Sequence, residues 1–246
     1  MKNFYKRFLK RFFDFFLALI LLAILSPLLF IVAFAIKITD FKEPVIFKQQ
    51  RVGRYQKLFV IYKFRTFKKP TPFDINNPVI KKNNSNVTFV GKIIRQFKID
   101  ELPQLFNILK GDMGFVGPRP FVQTYLRHYQ DWELSKFCMR PGLTGLAQIK
   151  GNGHLTRVER SYYDVMYINC GLWTEFVIFF KSVLVIILGE KKFYKPVTQE
   201  QLQECKTLAM HNYLIDYYYV YKVRQKAIDE MFLYVRHALK NKTGKL

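Results

Sequence analysis

The stretch Lys98-Ile99-Asp100-Glu101-Leu102-Pro103-Gln104-Leu105-Phe106-Asn107-Ile108-Leu109-Lys110-Gly111-Asp112 places two adjacent carboxylates at the start of a short predicted helix. Asp100 is a good N-cap residue, Pro103 is tolerated in a first helical turn, and Gly111 is a natural C-terminal stop. Glu101 suits the positive end of the helix dipole. The plain alternative is an N-cap followed by a first-turn acid that has no chemical role, and the rest of the chain has to decide between the two.

Basic residues precede the acidic pair, and apolar residues follow it. Arg95 and Lys98 lie just before Asp100, so an anionic phosphate could dock at the helix start while a carboxylate there stays ionised. Helical spacing puts four apolar residues on one face: Leu102, Leu105, Phe106 and Leu109. The stretch therefore predicts a short helix that packs on a core and carries charged groups at its N-terminus.

The composition favours a protein that works at an anionic surface. The chain has 246 residues, half of them hydrophobic, and a formal net charge of +22 that is spread along its length. Such a charge is typical of proteins that meet nucleic acid, anionic lipid or phosphorylated substrates. The three cysteines and four histidines are scattered, so we expect neither a disulfide framework nor a zinc site.

An uncharged apolar run over residues 15–36 is long enough to enter a membrane. A helix of that size is about 33 Å long, which matches the hydrocarbon layer. Basic residues flank both ends, so the positive-inside rule places both ends in the cytoplasm. Ser26-Pro27 interrupts the run near its middle, where proline removes a helical hydrogen bond that Ser26 can replace. From the residues alone, a segment that dips into the bilayer and one that spans it remain two open interpretations.

Alternating residues predict a strand over residues 57–67, after a first strand over 44–49. In that register Lys63 and Arg65 point to the same side. Paired cations on one face suit a diphosphate, whereas a solvated strand face is the plain alternative. Residues 68–87, rich in Lys, Pro and Asn, are predicted to form a loop over the site.

Two loops in the second half of the chain each hold an arginine among prolines and glycines. Arg119 lies in Val116-Gly117-Pro118-Arg119-Pro120, and Arg140 opens Arg140-Pro141-Gly142. A stiff loop lowers the entropic cost of presenting a guanidinium to an anion, although connecting turns have the same composition. Helices are predicted over residues 121–139, 157–168 and 172–188, the last an apolar interfacial or core helix.

These motifs occur together, and in this order, in the bacterial sugar transferases, which the sequence resembles. The motifs are Lys10-Arg11-Phe12-Phe13-Asp14-Phe15-Phe16 leading to Leu25-Ser26-Pro27, Tyr62-Lys63-Phe64-Arg65-Thr66, Ile99-Asp100-Glu101-Leu102-Pro103-Gln104-Leu105, Lys110-Gly111-Asp112-Met113, Val116-Gly117-Pro118-Arg119-Pro120 and Arg140-Pro141-Gly142-Leu143-Thr144-Gly145. Each motif is weak alone, but their joint occurrence over about residues 5 to 195 is specific. The sequence is therefore similar to the monotopic phosphoglycosyl transferases, which begin glycoconjugate assembly on a polyprenyl phosphate.

The resemblance implies an activity and a set of residues. Family members transfer a sugar-1-phosphate from a UDP-sugar to undecaprenyl phosphate with Mg²⁺ and release UMP, through a covalent intermediate on an aspartate. Asp100 and Glu101 would then be the catalytic dyad and the magnesium ligands. The candidate phosphate-binding residues are Lys63, Arg65, Arg95, Arg119 and Arg140, and two further motif positions are Asp112 and Asp164.

The expected fold is an α+β membrane-associated domain. Residues 1–40 would form a basic segment and a re-entrant helix broken at Ser26 and Pro27. Residues 41–195 would form the catalytic domain, built of short strands and interfacial amphipathic helices, and residues 196–246 a helical C-terminal extension.

The resemblance also implies a location and partners. The protein would be monotopic on the cytoplasmic face of the bacterial inner membrane, in contact with anionic lipid and not with nucleic acid, with homo-oligomerisation left open. A membrane-anchored nucleic-acid binder and a non-catalytic assembly protein are the alternatives. No motif specifies the donor sugar or the glycan pathway.

Overall fold

The computed structural model describes the backbone of residues 2–68 and 86–212. Its helices are α1 (Lys2–Thr39), α2 (Phe89–Gln96), α3 (Leu105–Lys110), α4 (Asp131–Leu134), α5 (Arg157–Met166), α6 (Leu172–Leu188) and α7 (Gln199–Asn212). Its strands are β1 (Ile46–Val52), β2 (Leu58–Phe64), β3 (Gly114–Val116) and β4 (Gly142–Thr144). This mixture of helices and short strands, headed by one long apolar helix, agrees with the predicted α+β class. Most of the predicted loop over 68–87, and the part of the predicted C-terminal extension beyond residue 212, lie outside the described residues.

Helix α1 is assigned as one continuous helix through Pro27 and carries the long apolar run. Its segment Leu9–Thr39 is long and apolar enough to cross a membrane, with a mean hydropathy of 3.0 in a window that is only 17% buried. The Ser26 hydroxyl donates to the Ala23 carbonyl oxygen at 2.9 Å. That carbonyl is the one that a residue at position 27 would bond through its N–H, so Ser26 replaces the hydrogen bond that proline removes, as the sequence predicts.

The N-terminal part of α1 is held by the folded domain. Arg11 donates to the backbone carbonyl oxygens of Ile108 and, at 2.5 Å, Leu109. Lys10 Nζ pairs with Glu175 Oε2 at 2.9 Å, which ties α1 to α6. Arg11 therefore caps the C-terminal carbonyls of α3, where a cation is favourable.

The C-terminal part of α1 is held by the same domain. Arg65, just after β2, pairs with Asp40 at 3.2 Å and donates to the Ile36 carbonyl oxygen at 3.4 Å. Val32 and Ile36 are buried in a cluster with Phe64. Both ends of the apolar helix therefore contact one folded unit, and the other side of α1 stays exposed.

The strands form two small sheets rather than one. β1 and β2 are an antiparallel hairpin in which Ile46 faces Phe64 and Val52 faces Leu58. β3 and β4 pair in parallel, with Gly114 opposite Gly142. The predicted second strand, over residues 57–67, is longer than the observed strand β2, which ends at Phe64. Arg65 lies beyond the strand and turns towards α1, so its side chain does not lie on the same side as that of Lys63.

The acidic pair lies in the 3₁₀ helix Ile99–Gln104, which we call the acidic turn, and α3 follows it directly. Gly111 ends α3 with a φ of 91°, as predicted for a left-handed cap. The predicted apolar face is wrong in part, because Phe106 is 49% exposed while Asn107 is fully buried. Asn107 bonds the backbone of β2 at Tyr62 N (3.1 Å) and Val60 O (2.6 Å), so a polar side chain docks α3 on the hairpin.

The single amphipathic helix predicted over 121–139 is wrong. The segment is broken into a 3₁₀ helix at Gln123–His128, α4, and a second 3₁₀ helix at Ser135–Cys138. Gln130 and Glu133 form a capping box that starts a new helix in the middle of the predicted one. Helix α5 matches its prediction within two residues, and α6 has the predicted bounds.

Helix α6 is apolar on the side that faces away from the domain. Trp173, Phe176 and Ile187 are 77%, 57% and 72% exposed. Helix α7, the first part of the predicted C-terminal extension, buries Cys205 and Ala209 in a cluster with residues of α4 and α5. The predicted domain boundaries stay predictions.

Candidate active site

Three elements meet at the Glu101 carboxylate. Glu101 Oε1 accepts hydrogen bonds from Lys63 Nζ of β2 at 2.6 Å and from Arg119 Nη2, in the loop after β3, at 3.0 Å. Burial opposes ionisation of Glu101, but the charges of Arg119 and Lys63 outweigh it and hold its pKa well below the usual range. Glu101 is therefore ionised at neutral pH and anchors two cations.

Asp100 lies beside this ion cluster in a different state. It is 9% exposed, and its Oδ1 atom is buried without a hydrogen-bond partner among the described residues. Burial, followed by the charge of Glu101, raises the pKa of Asp100, and Lys63, Arg95 and Lys98 oppose that rise. The site thus holds a buried carboxylate oxygen that accepts no hydrogen bond from the described residues.

This environment differs from the sequence-based expectation in two ways. Asp100 is not the N-cap: Lys98 takes that place, with a left-handed φ of 57° and no side-chain cap. The helix start was also expected to favour the charged form, whereas burial and then the charge of Glu101 raise the pKa of Asp100 to about 6. At neutral pH the carboxylate still stays mostly ionised, as the sequence predicts.

The loop that carries Arg119 is held by close backbone packing. A Cβ atom at Gly117 would lie 2.4 Å from the Arg140 carbonyl oxygen, so only glycine fits where the two arginine-bearing loops cross. Pro118 and Pro120 restrict the backbone on either side of Arg119. The structure therefore supports the predicted stiffness of this loop and directs its arginine to Glu101.

Arg51 is a third cation beside Glu101, and sequence reasoning missed it. It lines a small cleft together with Lys63, Glu101 and Arg119. Burial and the neighbouring Arg119 lower the pKa of Arg51 to about 10. The register of the β1–β2 hairpin could have revealed Arg51. Arg51 pairs with Phe59, and alternation along β2 puts Phe59, Ile61 and Lys63 on the same side of the sheet, so Arg51 and Lys63 share that side.

Two predicted cations lie elsewhere. Arg65 is committed to Asp40 and the end of α1. Arg140 has its pKa lowered by burial and by the charges of Arg54 and Arg11, which places it near the N-terminal part of α1. Arg95, by contrast, is close enough for its charge to lower the pKa of Asp100. The structure brings Lys63, Arg95 and Arg119 to the acidic pair, and their binding of phosphate stays a prediction.

The two further motif aspartates are not part of the acidic pair, although the backbone of Arg119 is close enough to Asp164 to oppose the rise of its pKa that burial causes. Asp112 follows α3 and contacts the Asn107 amide at 3.5 Å. Asp164 on α5 is 1% exposed and lies 3.6 Å from Lys136 Nζ. Asp164 therefore belongs to a buried ion pair, and Asp112 to the end of α3.

The acidic pair is compatible with magnesium, although it is not a complete metal site. No group of three or more His, Cys, Asp or Glu side chains that could hold a metal occurs within residues 2–68 and 86–212. Magnesium commonly takes one or two carboxylates and completes its shell with water and substrate phosphates. The unpartnered Oδ1 of Asp100 is a free ligand of the right type, so these residues fit a metal that arrives with a nucleotide.

Comparison with known proteins agrees with the motifs. Residues 5–189 match the family model of the bacterial sugar transferases. The chain is 40% identical over 178 residues to an undecaprenyl-phosphate galactose phosphotransferase of Salmonella typhimurium, covering 66% of this chain and 37% of that protein. It is 39% identical over 169 residues to a UDP-glucose:undecaprenyl-phosphate glucose-1-phosphate transferase of Klebsiella pneumoniae, covering 64% and 36%.

A shorter relative matches over most of its length. An uncharacterised sugar transferase of Bacillus subtilis is 36% identical over 164 residues, covering 66% of this chain and 77% of that protein. The first two relatives are longer, and the matched part spans less than two fifths of each. On the match over residues 5–189, this chain belongs to the bacterial sugar transferase family.

Proposed function

We propose that this protein transfers a sugar-1-phosphate from a UDP-sugar to undecaprenyl phosphate and releases UMP. The names of its relatives support the two substrates. The observation that carries the proposal is Asp100, a buried carboxylate with an unpartnered oxygen beside a carboxylate that holds two cations. A perturbed acid in such a cluster is suited to act as a nucleophile on phosphorus.

The reaction would proceed in two displacements at one phosphorus atom. One carboxylate oxygen of Asp100 forms a bond to the β-phosphorus while the bond from that phosphorus to the bridging oxygen breaks, and UMP leaves with the electron pair. A phosphate oxygen of the lipid acceptor then attacks the same phosphorus and releases the Asp100 carboxylate. The site returns to its starting state without any other reactant.

The cations lower the cost of bringing a carboxylate to an anionic phosphorus. Lys63, Arg119 and Arg51 surround Glu101 and leave N–H groups free to meet phosphoryl oxygens, since a guanidinium carries five donors. Asp100 and Glu101 would hold magnesium, which would neutralise charge on the diphosphate when bound. Because its pKa is strongly lowered, Glu101 is a poor proton acceptor, which favours a positioning and metal-binding role.

We also propose that α1 is re-entrant, so that the protein is monotopic on the cytoplasmic face. The attachment of Arg11 to α3 at one end of α1, and of Asp40 to Arg65 at the other, supports this topology. A spanning helix would carry one of these contacts to the opposite side of the bilayer. Single cysteines near Lys6 and near Lys42 should react with an impermeant thiol reagent from the cytoplasmic side only, and opposite accessibility would contradict the proposal.

The central test is the release of UMP from a donor alone. Purified protein with magnesium and a panel of UDP-sugars should give a stoichiometric burst of UMP before any acceptor is added, because the first displacement needs only Asp100. Asp100→Asn should abolish the burst, and Asp131→Asn, a change at an exposed acid of α4, should keep it.

Two outcomes would contradict the proposal in different ways. A wild type that needs the lipid before UMP appears would exclude the covalent route and favour direct transfer between the two substrates. No UMP from any UDP-sugar, with or without acceptor, would favour a non-catalytic assembly protein.

A further inference from the structure

A cavity of about 240 Å³ lies between the acidic turn and α6. Phe179, Val183 and Ile186 line it from α6, and their spacing of four and three residues places them on one face of that helix. Phe115 and Leu143 close it from the parallel sheet. The body of the cavity is therefore hydrocarbon.

Four charged residues of the lining form two ion pairs, and Thr144, Asn152 and Ser182 also line the cavity. Lys98 pairs with Glu190 at 3.2 Å, and Arg119 pairs with Glu101 at 3.0 Å. The two pairs are close, since the charge of Lys98 helps to lower the pKa of Glu101, after the larger effects of burial, Arg119 and Lys63. The cavity is thus apolar on the side of α6 and is lined by active-site cations at the acidic turn.

Gln148 also lines this cavity, and its side-chain nitrogen and oxygen are buried without a partner among the described residues. A buried amide without hydrogen bonds is costly, so it indicates a polar group that completes the site. Arg119 spends one of its nitrogens on Glu101 and can direct others to the same ligand. An amide and a guanidinium together match the oxygens of a phosphate.

The cavity also meets the apolar surface of the molecule. Val183 and Ile186 are 50% and 40% exposed, and the same helix carries Trp173 and Ile187 on its outer side. An exposed apolar surface of this size marks a membrane-contacting face. A ligand could therefore enter from the lipid side with its apolar part first.

We propose that this cavity seats the first isoprene units of a polyprenyl phosphate and that Gln148, Arg119 and Lys98 receive its phosphate. The inference rests on the proposed function, to which it adds the acceptor site. A cavity of about 240 Å³ holds only the beginning of a long chain, so the remainder stays in the bilayer. A nucleoside fits less well, because its base and ribose present many polar groups, whereas the hydroxyl that α6 offers, that of Ser182, is already bonded to Ile178 and Thr144.

Adjacent isoleucines provide a matched pair of variants. Ile186 lines the cavity, whereas Ile187 is 72% exposed and does not. Binding of farnesyl phosphate is measured in nanodiscs of phosphatidylethanolamine and phosphatidylglycerol. Ile186→Trp should weaken it about tenfold, because the larger ring fills the chamber, while Ile187→Trp should stay within about twofold of wild type.

A second variant tests the phosphate end without changing side-chain volume. Gln148→Glu places a negative charge at the proposed phosphate, so farnesyl phosphate should bind about tenfold more weakly, whereas farnesol, which lacks the phosphate, should change less than about twofold. Equal effects on the two ligands, or no effect on either, would overturn the assignment of Gln148. Because this variant is nearly isosteric, it also serves if Ile186→Trp does not fold.

The donor-alone burst separates the two occupants. If the cavity holds the lipid, the donor-alone burst of UMP should be the same in Ile186→Trp and Ile187→Trp. The two variants should differ only in the acceptor concentration that they need for turnover. A slower burst with unchanged farnesyl phosphate binding would assign the cavity to the nucleoside and overturn the inference. Farnesyl phosphate binding is measured without turnover, so it is independent of the UMP assay. Equal binding by Ile186→Trp and Ile187→Trp would refute the cavity as the lipid site, whereas absence of any UMP would refute the proposed function.

Discussion

Two buried aspartates of this protein, Asp100 and Asp164, have a raised pKa for the same first reason, which is loss of water. Asp164 is enclosed on α5 against Lys136, and burial raises its pKa to about 6. Both aspartates have a buried oxygen without a hydrogen-bond partner among the described residues, but Asp100 lies next to Glu101, which lines two clefts. The comparison teaches that a perturbed pKa does not assign catalysis by itself, because only the aspartate that a substrate can reach can act on it.

The largest expected effect separates the two aspartates by turnover. Asp100→Asn should lower sugar-phosphate transfer by about 10³-fold or more, since an amide cannot form the acyl phosphate. Asp164→Asn should keep turnover per folded molecule within about tenfold, because its side chain meets Lys136 rather than substrate. Both rates are normalised to the folded fraction from circular dichroism. Equal loss in the two folded variants would break the comparison.

The next effect concerns stability around Asp164. Lys136 is 1% exposed, and burial lowers its pKa to about 8. Its ammonium lies 3.9 Å from the centre of the Phe121 ring and 4.0 Å from that of Tyr129. Lys136→Met leaves Asp164 without its counter-charge, so the free energy of unfolding should fall by about 3–5 kcal/mol in denaturant titrations.

The double variant Lys136→Met/Asp164→Leu is the control for that loss. Replacing both charges by apolar groups of similar size should recover most of the stability, because no buried charge is then left unpaired. A double variant as unstable as the single one would mean that Asp164 has a structural role beyond its pairing with Lys136.

A smaller effect concerns the stability cost of Asp100 itself. Its raised folded pKa means that the folded state holds the proton more tightly than the unfolded state does. Wild-type stability is therefore lost as pH rises from the ordinary value of 3.8 through the raised value, and Asn removes this loss. Thermal unfolding at pH 8 should show Asp100→Asn more stable by about 2 kcal/mol, and the gain should vanish near pH 4. The same gain at both pH values would show that desolvation of the charge is not its cause.

The smallest effect is a shift in pH dependence. The charge of Glu101 raises the pKa of Asp100, after the larger effect of burial. Glu101→Gln removes that charge and frees Lys63 and Arg119, so the acid limb of the UMP burst should move to lower pH. Burst rates between pH 5 and 8 measure the shift. An acid limb that stays in place would assign it to another group.

The parts of the fold that follow from local sequence could be predicted. The bounds of α6 are set by an apolar run between Gly171 and Gly189, both outside the helix. Gly111 as the end of α3 follows from the same kind of signal. The bounds of these helices depend on residues that are close in the chain, so the local sequence is enough to predict them.

The parts that failed depend on residues distant in the chain. Arg65 turned away from the site because Asp40, 25 positions earlier, is its partner. The predicted helix over 121–139 is the exception, because the residues that end it, Gln130 and Glu133, lie within the segment and cap a new helix there. The raised pKa of Asp100 reflects burial, which depends on the packing of several elements around the acidic turn. The local motif therefore names Asp100 and Glu101 as candidates, a role that stays a prediction, while the burial that raises the pKa of Asp100 depends on the packing of the whole domain.

The ion pair between Lys10 and Glu175 has a consequence for synthesis. At about 5–20 residues per second, the ribosome needs roughly 10–30 s after Lys10 to reach the partner on α6. During that interval Lys10 can pair with Asp14, which lies four residues further along the same helix, at 3.4 Å in the folded protein. The contact between α1 and α6 therefore forms late, after most of the domain between them has been made.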